Sequence, residues 1–377
     1  MNIAFDAQPL ISDRMSGIGC CEAGQVTHMM EMYPQNRYQF QYFSLRNHDI
    51  KKQRISQYMR QNTEINFSGY SGFLYRLCPL PYSAFFGKSA DITHFFNYIV
   101  PPCVHGKTVV TVHDMVIKAY PETVRLRTRK MLEIGLEKSM KRADAIVTDS
   151  EFSRSEIEKY YPQFASKIYV VPCGVDSSRF YPEKNQSEIQ RVKDKNNIND
   201  RYFLYLGTVE PRKNLERLIK AYDIFRKSYD NPPQLVMAGG NGWLNSSIYK
   251  LGTECGVKFT EYIPSEDLRP LICGADAFLF PSVYEGFGMP PLEAMACGVP
   301  VLVSSSASLP EVVGDCAVIT DAYSEKSIAE GIDRLYSDRQ LCRELSEKGI
   351  IQSRKYSWEK SAEKLYQVYC RTVGTGE

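Results

Sequence analysis

Along the chain, short apolar runs rich in β-branched and aromatic residues alternate with longer stretches whose apolar positions recur every three to four residues. In the first half the short runs predict strands over Asn2–Asp6, Tyr38–Phe43, Asp91–Phe95, Thr108–His113, Ala145–Thr148 and Ile168–Val171. In the second half they predict Tyr202–Leu206, Leu235–Ala238, Val257–Thr260, Ala277–Phe280 and Val299–Val303. The longer stretches predict helices near Glu22–Tyr33, Leu126–Lys141, Glu151–Tyr160, Asn214–Tyr229, Glu266–Cys273, Leu292–Ala296 and Ser324–Tyr336. Such alternation is the pattern of α/β proteins, in which helices cover both faces of a doubly wound parallel sheet. Pro172-Cys173-Gly174-Val175-Asp176 and the polar, strand-poor stretch up to Arg201 interrupt it. That interruption predicts two Rossmann-like domains, 1–176 and 177–356, facing each other across a cleft lined by the carboxyl ends of their strands.

A length of 377 residues agrees with two domains. Hydrophobic residues at 43% and charged residues at 24% supply a real core and exclude a disordered chain. The formal net charge of +2 argues against a protein that grips nucleic acid through bulk charge. The 11 cysteines are scattered without a Cys-x-x-Cys pair, which predicts reduced thiols and neither a disulfide framework nor a zinc site. Met1-Asn2-Ile3-Ala4-Phe5-Asp6 lacks the features of a secretory signal, and no run approaches the ~20 apolar residues of a membrane span. The expectation is a cytoplasmic protein.

The most informative segment is Ser282-Val283-Tyr284-Glu285-Gly286-Phe287-Gly288-Met289-Pro290-Pro291-Leu292-Glu293-Ala294-Met295-Ala296-Cys297-Gly298-Val299-Pro300. It follows a buried strand and runs into a helix that the two prolines suit at its start and Gly298 at its end. Gly286 and Gly288 permit a close main-chain approach to a ligand. The N–H groups around Phe287–Met289, at the positive end of that helix, make a phosphate site. Glu285 on the loop and Glu293 in the helix's first turn are separated by seven residues. A carboxylate repels phosphate, so each is expected to face hydroxyls: Glu293 those of a ribose, Glu285 those of a sugar beyond the phosphates.

Arg212 and Lys213 follow the strand that ends in Leu206-Gly207-Thr208, with Asn214 as the expected cap of the next helix. Two cations at a strand's carboxyl end neutralise a departing diphosphate, a service that a divalent metal performs elsewhere. No Asp-x-Asp occurs, so no metal and no cofactor are expected. Ser16-Gly17-Ile18-Gly19 lies between the first strand and the first helix, but Glu22 stands where a dinucleotide fingerprint needs a third small residue, which disfavours an oxidoreductase. His113-Asp114 ends a β-branched strand. A histidine there is commonly structural, and the alternative is a role in binding a transferred sugar, with Asp114 as its orienting neighbour.

The Glu-Gly-Phe-Gly-x-Pro-x-Leu-Glu-Ala-Met-Ala-x-Gly-x-Pro-Val run resembles the Glu-x7-Glu donor motif of family 4 retaining glycosyltransferases, which have the GT-B fold. The likeness extends to Gly17-Ile18-Gly19, His113-Asp114, Ser150-Glu151-Phe152-Ser153, Gly174-Val175-Asp176 and Gly207-Thr208-Val209-Glu210-Pro211-Arg212-Lys213-Asn214. It is strongest to the bacterial mannosyltransferase-type members. The resemblance implies that the first domain, completed by a C-terminal helix (357–377), presents the acceptor, and that the second binds a sugar nucleotide. It implies that Arg212 and Lys213 contact the donor diphosphate, and that Gly17 and Gly19 close over the donor phosphates and the acceptor. By the same likeness Gly239, Tyr262 and Ile263 surround the nucleotide base, and His113 and Glu285 hold the transferred sugar. Gly207 joins the donor-binding set.

The expected activity is metal-independent hexosyl transfer, mannose favoured, from a nucleotide sugar such as GDP-mannose to a glycan or lipid-linked saccharide in polysaccharide biosynthesis. In the family's favoured mechanism the leaving phosphate accepts the acceptor's proton on the same face of the sugar. UDP-glucose, UDP-GlcNAc or dTDP-rhamnose as donor, a sugar-nucleotide 2-epimerase and a non-catalytic sugar-nucleotide sensor are the alternatives. Arg125–Arg142 carries seven basic against two acidic residues, a net of +5, with Leu132, Leu136 and Met140 at helical spacing. Its basic side suits anionic lipid, a charged acceptor or a solvated surface. The aromatic cluster Phe67, Tyr70, Phe73, Tyr75, Tyr82, Phe85 and Phe86 suits an acceptor loop, a lipid contact or a core.

Overall fold

The computed structural model describes residues 1–13, 15–72, 75, 80–87, 90–240, 246–260 and 262–374. The chain divides into two compact units, Met1–Gly174 with Trp358–Glu377, and Val175–Ser357. The first is built on seven strands: β1 (Asn2–Asp6), β2 (Arg37–Phe43), β3 (Thr63–Ser68), β4 (Ile92–Phe95), β5 (Lys107–Thr111), β6 (Ala145–Thr148) and β7 (Ile168–Val170). Their order across the sheet is β3-β2-β1-β4-β5-β6-β7, and every pairing is parallel. Both faces are covered, so successive strand residues enter different cores. Val109 and Val147 pack with Ile3, Phe5 and Leu365 on one side. Val110 and Ile146 pack with Leu136 and Met140 on the other.

The C-terminal helix Trp358–Val373 completes this unit against helix Gly17–Met32. Tyr366 stacks on Tyr33 at 3.7 Å between centroids, and Gln25 Nε2 donates to Ser361 Oγ at 3.0 Å. Gly24 is obligatory at the crossing, because a Cβ there would lie 2.3 Å from the Trp358 indole.

The second unit carries β8 (Tyr202–Leu206), β9 (Gln234–Ala238), β10 (Lys258–Thr260), β11 (Ala277–Phe280), β12 (Val301–Ser304) and β13 (Val318–Thr320). Their order is β10-β9-β8-β11-β12-β13, again all parallel.

Several elements depart from the sequence expectations for physical reasons. The stretch before Arg201, read from the sequence as polar and strand-poor with no helix named in it, contains helix Gln186–Asn196, which Asn185 caps and which Ile189 and Val192 anchor in the core. Helices His48–Ser56, Ser246–Glu254 and Arg339–Ser353 were not anticipated, and neither were β3 and β13, which are the outer strands of their sheets. An outer strand tolerates polar residues such as Glu64 and Asn66, which blurs its pattern. β5 ends at Thr111, two residues before His113, and β12 starts only after Pro300, whose ring removes a ladder donor.

Candidate active site

In the second unit, the segments that follow β8, β9, β10 and β11 all leave the same edge of a parallel sheet, so Gly207, Gly239, Tyr262, Ile263 and the Glu285 loop are gathered there. Gly207 N–H donates to Ala238 O at 2.9 Å, and a Cβ on Gly239 would lie 2.2 Å from the Gly207 carbonyl oxygen. The β8 and β9 loops thus touch main chain to main chain, which a side chain at 239 would prevent. Ile263 is buried, while the Tyr262 side chain is exposed.

After β8 a short 3-10 turn, Pro211–Lys213, directs two cations at Glu285. Lys213 Nζ lies 2.6 Å from Glu285 Oε1, and Arg212 Nη1 lies 2.8 Å from Oε2. Arg212 also donates to Tyr284 O at 3.2 Å and pairs with Glu210 at 3.3 Å. Lys213 and Glu285 are both buried. Burial and the adjacent Arg212 guanidinium lower the Lys213 ammonium from its ordinary range, against the pull of Glu285. Burial alone would raise Glu285, but the Lys213 and Arg212 charges hold its carboxyl below the usual value. Glu285 is therefore an ionised carboxylate clamped by two cations. The two cations are partners of Glu285 in addition to the hydroxyls that the sequence leads one to expect.

Asn214 adopts left-handed φ of 62° and does not cap the next helix with its side chain, contrary to expectation. Its amide instead donates to Pro281 O at 3.0 Å and Ala322 O at 2.6 Å, tying the β8 loop to the chain beyond β11 and β13. Ser308, which sequence reasoning missed, donates its hydroxyl to the carbonyls of Glu285 (2.9 Å) and Phe287 (2.8 Å) and so fixes the loop between them.

Gly286 and Phe287 lead to Gly288, whose φ of 112° favours glycine, and helix Met289–Ala296 begins there. The Phe287 ring is buried edge-on against Tyr356, so this residue offers a ligand its main chain. Because the helix begins at Met289, Glu293 sits in its second turn, not its first. Glu293 is half-buried. Loss of solvation pushes its carboxyl up to about 7, against a smaller downward pull from Arg179.

In the first unit, Gly17 and Gly19 are not a loop. They form the first turn of helix Gly17–Met32, where Ser16 Oγ accepts from Gly19 N–H at 3.3 Å. His113 follows β5 and is buried. Its Nδ1 lies 2.7 Å from Asp149 Oδ2, and its Nε2 lies 2.8 Å from Phe96 O. A carboxylate on one side and a carbonyl on the other make both ring nitrogens donors, the state of an imidazolium. Burial opposes that charge, but the Asp149 carboxylate and its hydrogen bond prevail and push His113 up to about 10. Asp149, at the end of neighbouring β6, is thus the orienting carboxylate. Asp114 is not: it accepts from Tyr98 OH at 3.2 Å and from Val116 N–H at 3.1 Å. Ser153 Oγ donates to the His113 carbonyl at 3.0 Å.

The first unit also encloses a cavity of about 290 Å³, with Asp6, Gln8, Tyr75, Tyr82, Lys138 and Arg142 in its wall. Of the aromatic cluster, Tyr75, Tyr82 and Phe86 are buried, Tyr70 and Phe85 pack partly on the same core, and Phe67 is exposed. Phe73 lies outside the described residues. Helix Leu126–Arg142 buries Leu132, Leu136 and Met140 and exposes Leu126 and Ile134. Among the described residues no helix is long and apolar enough to cross a membrane.

Two family models match: Glycosyltransferase Family 4 over residues 25–179, and Glycosyl transferases group 1 over residues 186–352. O-antigen chain mannosyltransferase B of Escherichia coli is 34% identical over 283 residues, 74% of each chain. Sucrose-phosphate synthase from Thermosynechococcus elongatus superposes over 100% of both chains with a TM-score of 0.76 at 20% identity. HepE from Anabaena, solved in complex with UDP and glucose, superposes over 98% of this chain and 100% of its own with a TM-score of 0.75 at 18% identity. The chain belongs to the family 4 glycosyltransferases, with the GT-B fold.

Proposed function

We propose that the chain transfers a mannosyl group, with retention of configuration and without a metal, from GDP-mannose to a glycan or lipid-linked saccharide. The observation that carries the reading is the clamp of Lys213 and Arg212 on Glu285 beside a glycine turn and a helix N-terminus. An ammonium has three donors and a guanidinium five, so each cation can hold Glu285 and a phosphate oxygen together. As the glycosidic bond breaks, charge develops on the diphosphate, and preorganised cations and the N–H groups around Phe287–Met289 stabilise it without a divalent ion. Glu285, kept ionised, accepts from hydroxyls of the departing sugar, and Glu293 accepts from the ribose. The acceptor's proton passes to the leaving phosphate oxygen.

His113 has both ring nitrogens committed to protein acceptors, so its part is to present a fixed main chain and ring face to the sugar. Gly17 and Gly19 offer main chain to the donor phosphates and the acceptor, and Gly207, Gly239, Tyr262 and Ile263 line the nucleotide. Mannose is favoured by the name of the 34%-identical relative. The aromatic and basic wall of the first unit's cavity suits a saccharide acceptor that carries negative charge. The basic face of helix Leu126–Arg142, with exposed Leu126 and Ile134, suits peripheral contact with the anionic cytoplasmic leaflet.

Thermal-shift titration with GDP-mannose, UDP-glucose, UDP-GlcNAc and dTDP-rhamnose tests the donor. The first should raise the melting temperature selectively, and selective binding of another overturns mannose. Product formation that needs an added acceptor and persists in chelator supports metal-free transfer. Donor conversion with no acceptor points to the epimerase, and chelator-abolished transfer restored by magnesium refutes metal independence.

A further inference from the structure

Cys21 lies on helix Gly17–Met32, and Cys173 follows β7 close to the end of the first unit. Their sulfurs are 3.4 Å apart, and both residues are buried. A carboxylate oxygen of Asp149 completes a group whose three ligand atoms all lie within 4.8 Å of one another. Of the two Asp149 oxygens, His113 takes Oδ2, while Oδ1 is buried with no partner beyond the neighbouring Cys173 thiol. A thiol is a weak donor, so a buried carboxylate oxygen faced by thiols is poorly satisfied, and two sulfurs and an oxygen converging at this range are ready ligands for one ion.

We propose that Cys21, Cys173 and Asp149 form a binding site for a thiolate-preferring divalent cation, for which zinc is the best fit. Two sulfurs and one carboxylate oxygen are a donor set that zinc accepts and that magnesium and calcium do not. With zinc–sulfur bonds of about 2.3 Å, a tetrahedral centre places two thiolates about 3.8 Å apart, so the sulfurs need to separate by only a few tenths of an ångström. Asp149 is already oriented from outside by the His113 ring, as metal-ligating carboxylates commonly are.

The charges also close. The ion's two positive charges match the two thiolates, and the Asp149 carboxylate keeps its contact with the His113 ring. Binding releases the two thiol protons to solvent.

The ion would pin the first helix, with its glycine turn, to the chain after β7 and to the carboxylate that holds His113. Its task is structural. Its three ligands all belong to the first unit, and none is a residue that the transfer proposed above uses to neutralise phosphate.

The test is to refold the full chain in zinc or cobalt(II), remove loose ion by gel filtration, and measure metal content and absorption. About one ion per chain is expected, with cobalt giving near-ultraviolet thiolate charge-transfer and tetrahedral visible bands, and a higher melting temperature for loaded protein. The Cys21→Ser, Cys173→Ser double variant should lose ion and bands, while Cys273→Ser keeps both. Wild-type protein without stoichiometric metal, equal loading of the double variant, or a Cys21–Cys173 disulfide found in freshly purified protein overturns the site. Should the double variant fail to fold, the wild-type cobalt band decides, because its intensity scales with thiolate number: two support the site, one or none refute it.

Discussion

The two units place comparable constellations at comparable positions and use them differently. In the second, cations after β8 meet a carboxylate after its sheet neighbour β11. In the first, a histidine after β5 meets a carboxylate after its neighbour β6. The first pair is closed: one cation, one anion, and the remaining ring nitrogen spent on a carbonyl. The second constellation has two cations converging on one carboxylate, with part of the Arg212 side chain still at the surface. One arrangement spends both ring nitrogens on protein acceptors, while the other is suited to share its cations with an incoming anion. The same parallel topology therefore makes a buried histidine–carboxylate pair in one half and, on the function proposed above, a receptor for diphosphate in the other.

The comparison breaks most sharply at the cations. Arg212→Ala or Lys213→Ala should lower kcat by about 100-fold or more, as loss of one preorganised charge at a developing anion does. Initial rates at saturating donor measure this, and wild-type turnover in either variant would remove the assignment. Glu285→Gln should also cost stability, because it leaves buried Lys213 facing a neutral amide.

The closed pair responds in stability first. Asp149→Asn leaves the His113 imidazolium buried without its counter-charge, a loss of about 3 kcal/mol or more by analogy with broken buried ion pairs. Urea unfolding reads the loss. A large fall in kcat with no fall in stability would instead make His113 a participant in the chemistry.

Glu293 offers a graded test in the second unit. With its carboxyl raised to about 7 by burial, it passes from about one-tenth to about nine-tenths ionised between pH 6 and 8. On the proposed contact of the ionised form with ribose hydroxyls, donor affinity should rise by up to about tenfold over that interval. Glu293→Gln should flatten the rise. The sign for folding is opposite. Between the ordinary carboxyl value and about 7 the folded state holds a proton that the unfolded state releases, so stability falls as pH rises through that window. Isothermal titration at several pH values separates the two effects.

What could be read from the residues, and what could not, follows the same division. The strand pattern and the Glu-x7-Glu segment carry their own signals, because β-branched runs and a Gly/Pro-framed helix start are local features. Glu285 was legible as a candidate, but its partners were not, since Lys213 lies 72 positions away and only the adjacency of β8 and β11 unites them. His113 was legible, but Asp114 was a false neighbour. The true partner is 36 positions on, at the end of the next strand. Ser308 carries no sequence signature at all, because its two carbonyl acceptors exist only once the loop has folded. The glycines at 17 and 19 read as a loop because the first helical turn has no apolar periodicity, although Ser16 three residues before Gly19 is an ordinary N-cap spacing.

The smallest expected effect separates the two aspartates. Asp114 accepts from the Tyr98 hydroxyl and from Val116 N–H, where the chain turns into a short helix, and it makes no bond to the His113 ring. An asparagine at this position keeps an acceptor oxygen for both donors. Asp114→Asn should therefore change kcat and stability by no more than about twofold and ~0.5 kcal/mol, the range of substitutions that break no buried network. Measured beside Asp149→Asn on the same preparation, it asks which carboxylate the imidazolium depends on. A loss in the Asp114 variant as large as that in the Asp149 variant would mean that sequence adjacency, not the β5–β6 neighbourhood, sets the charge on His113.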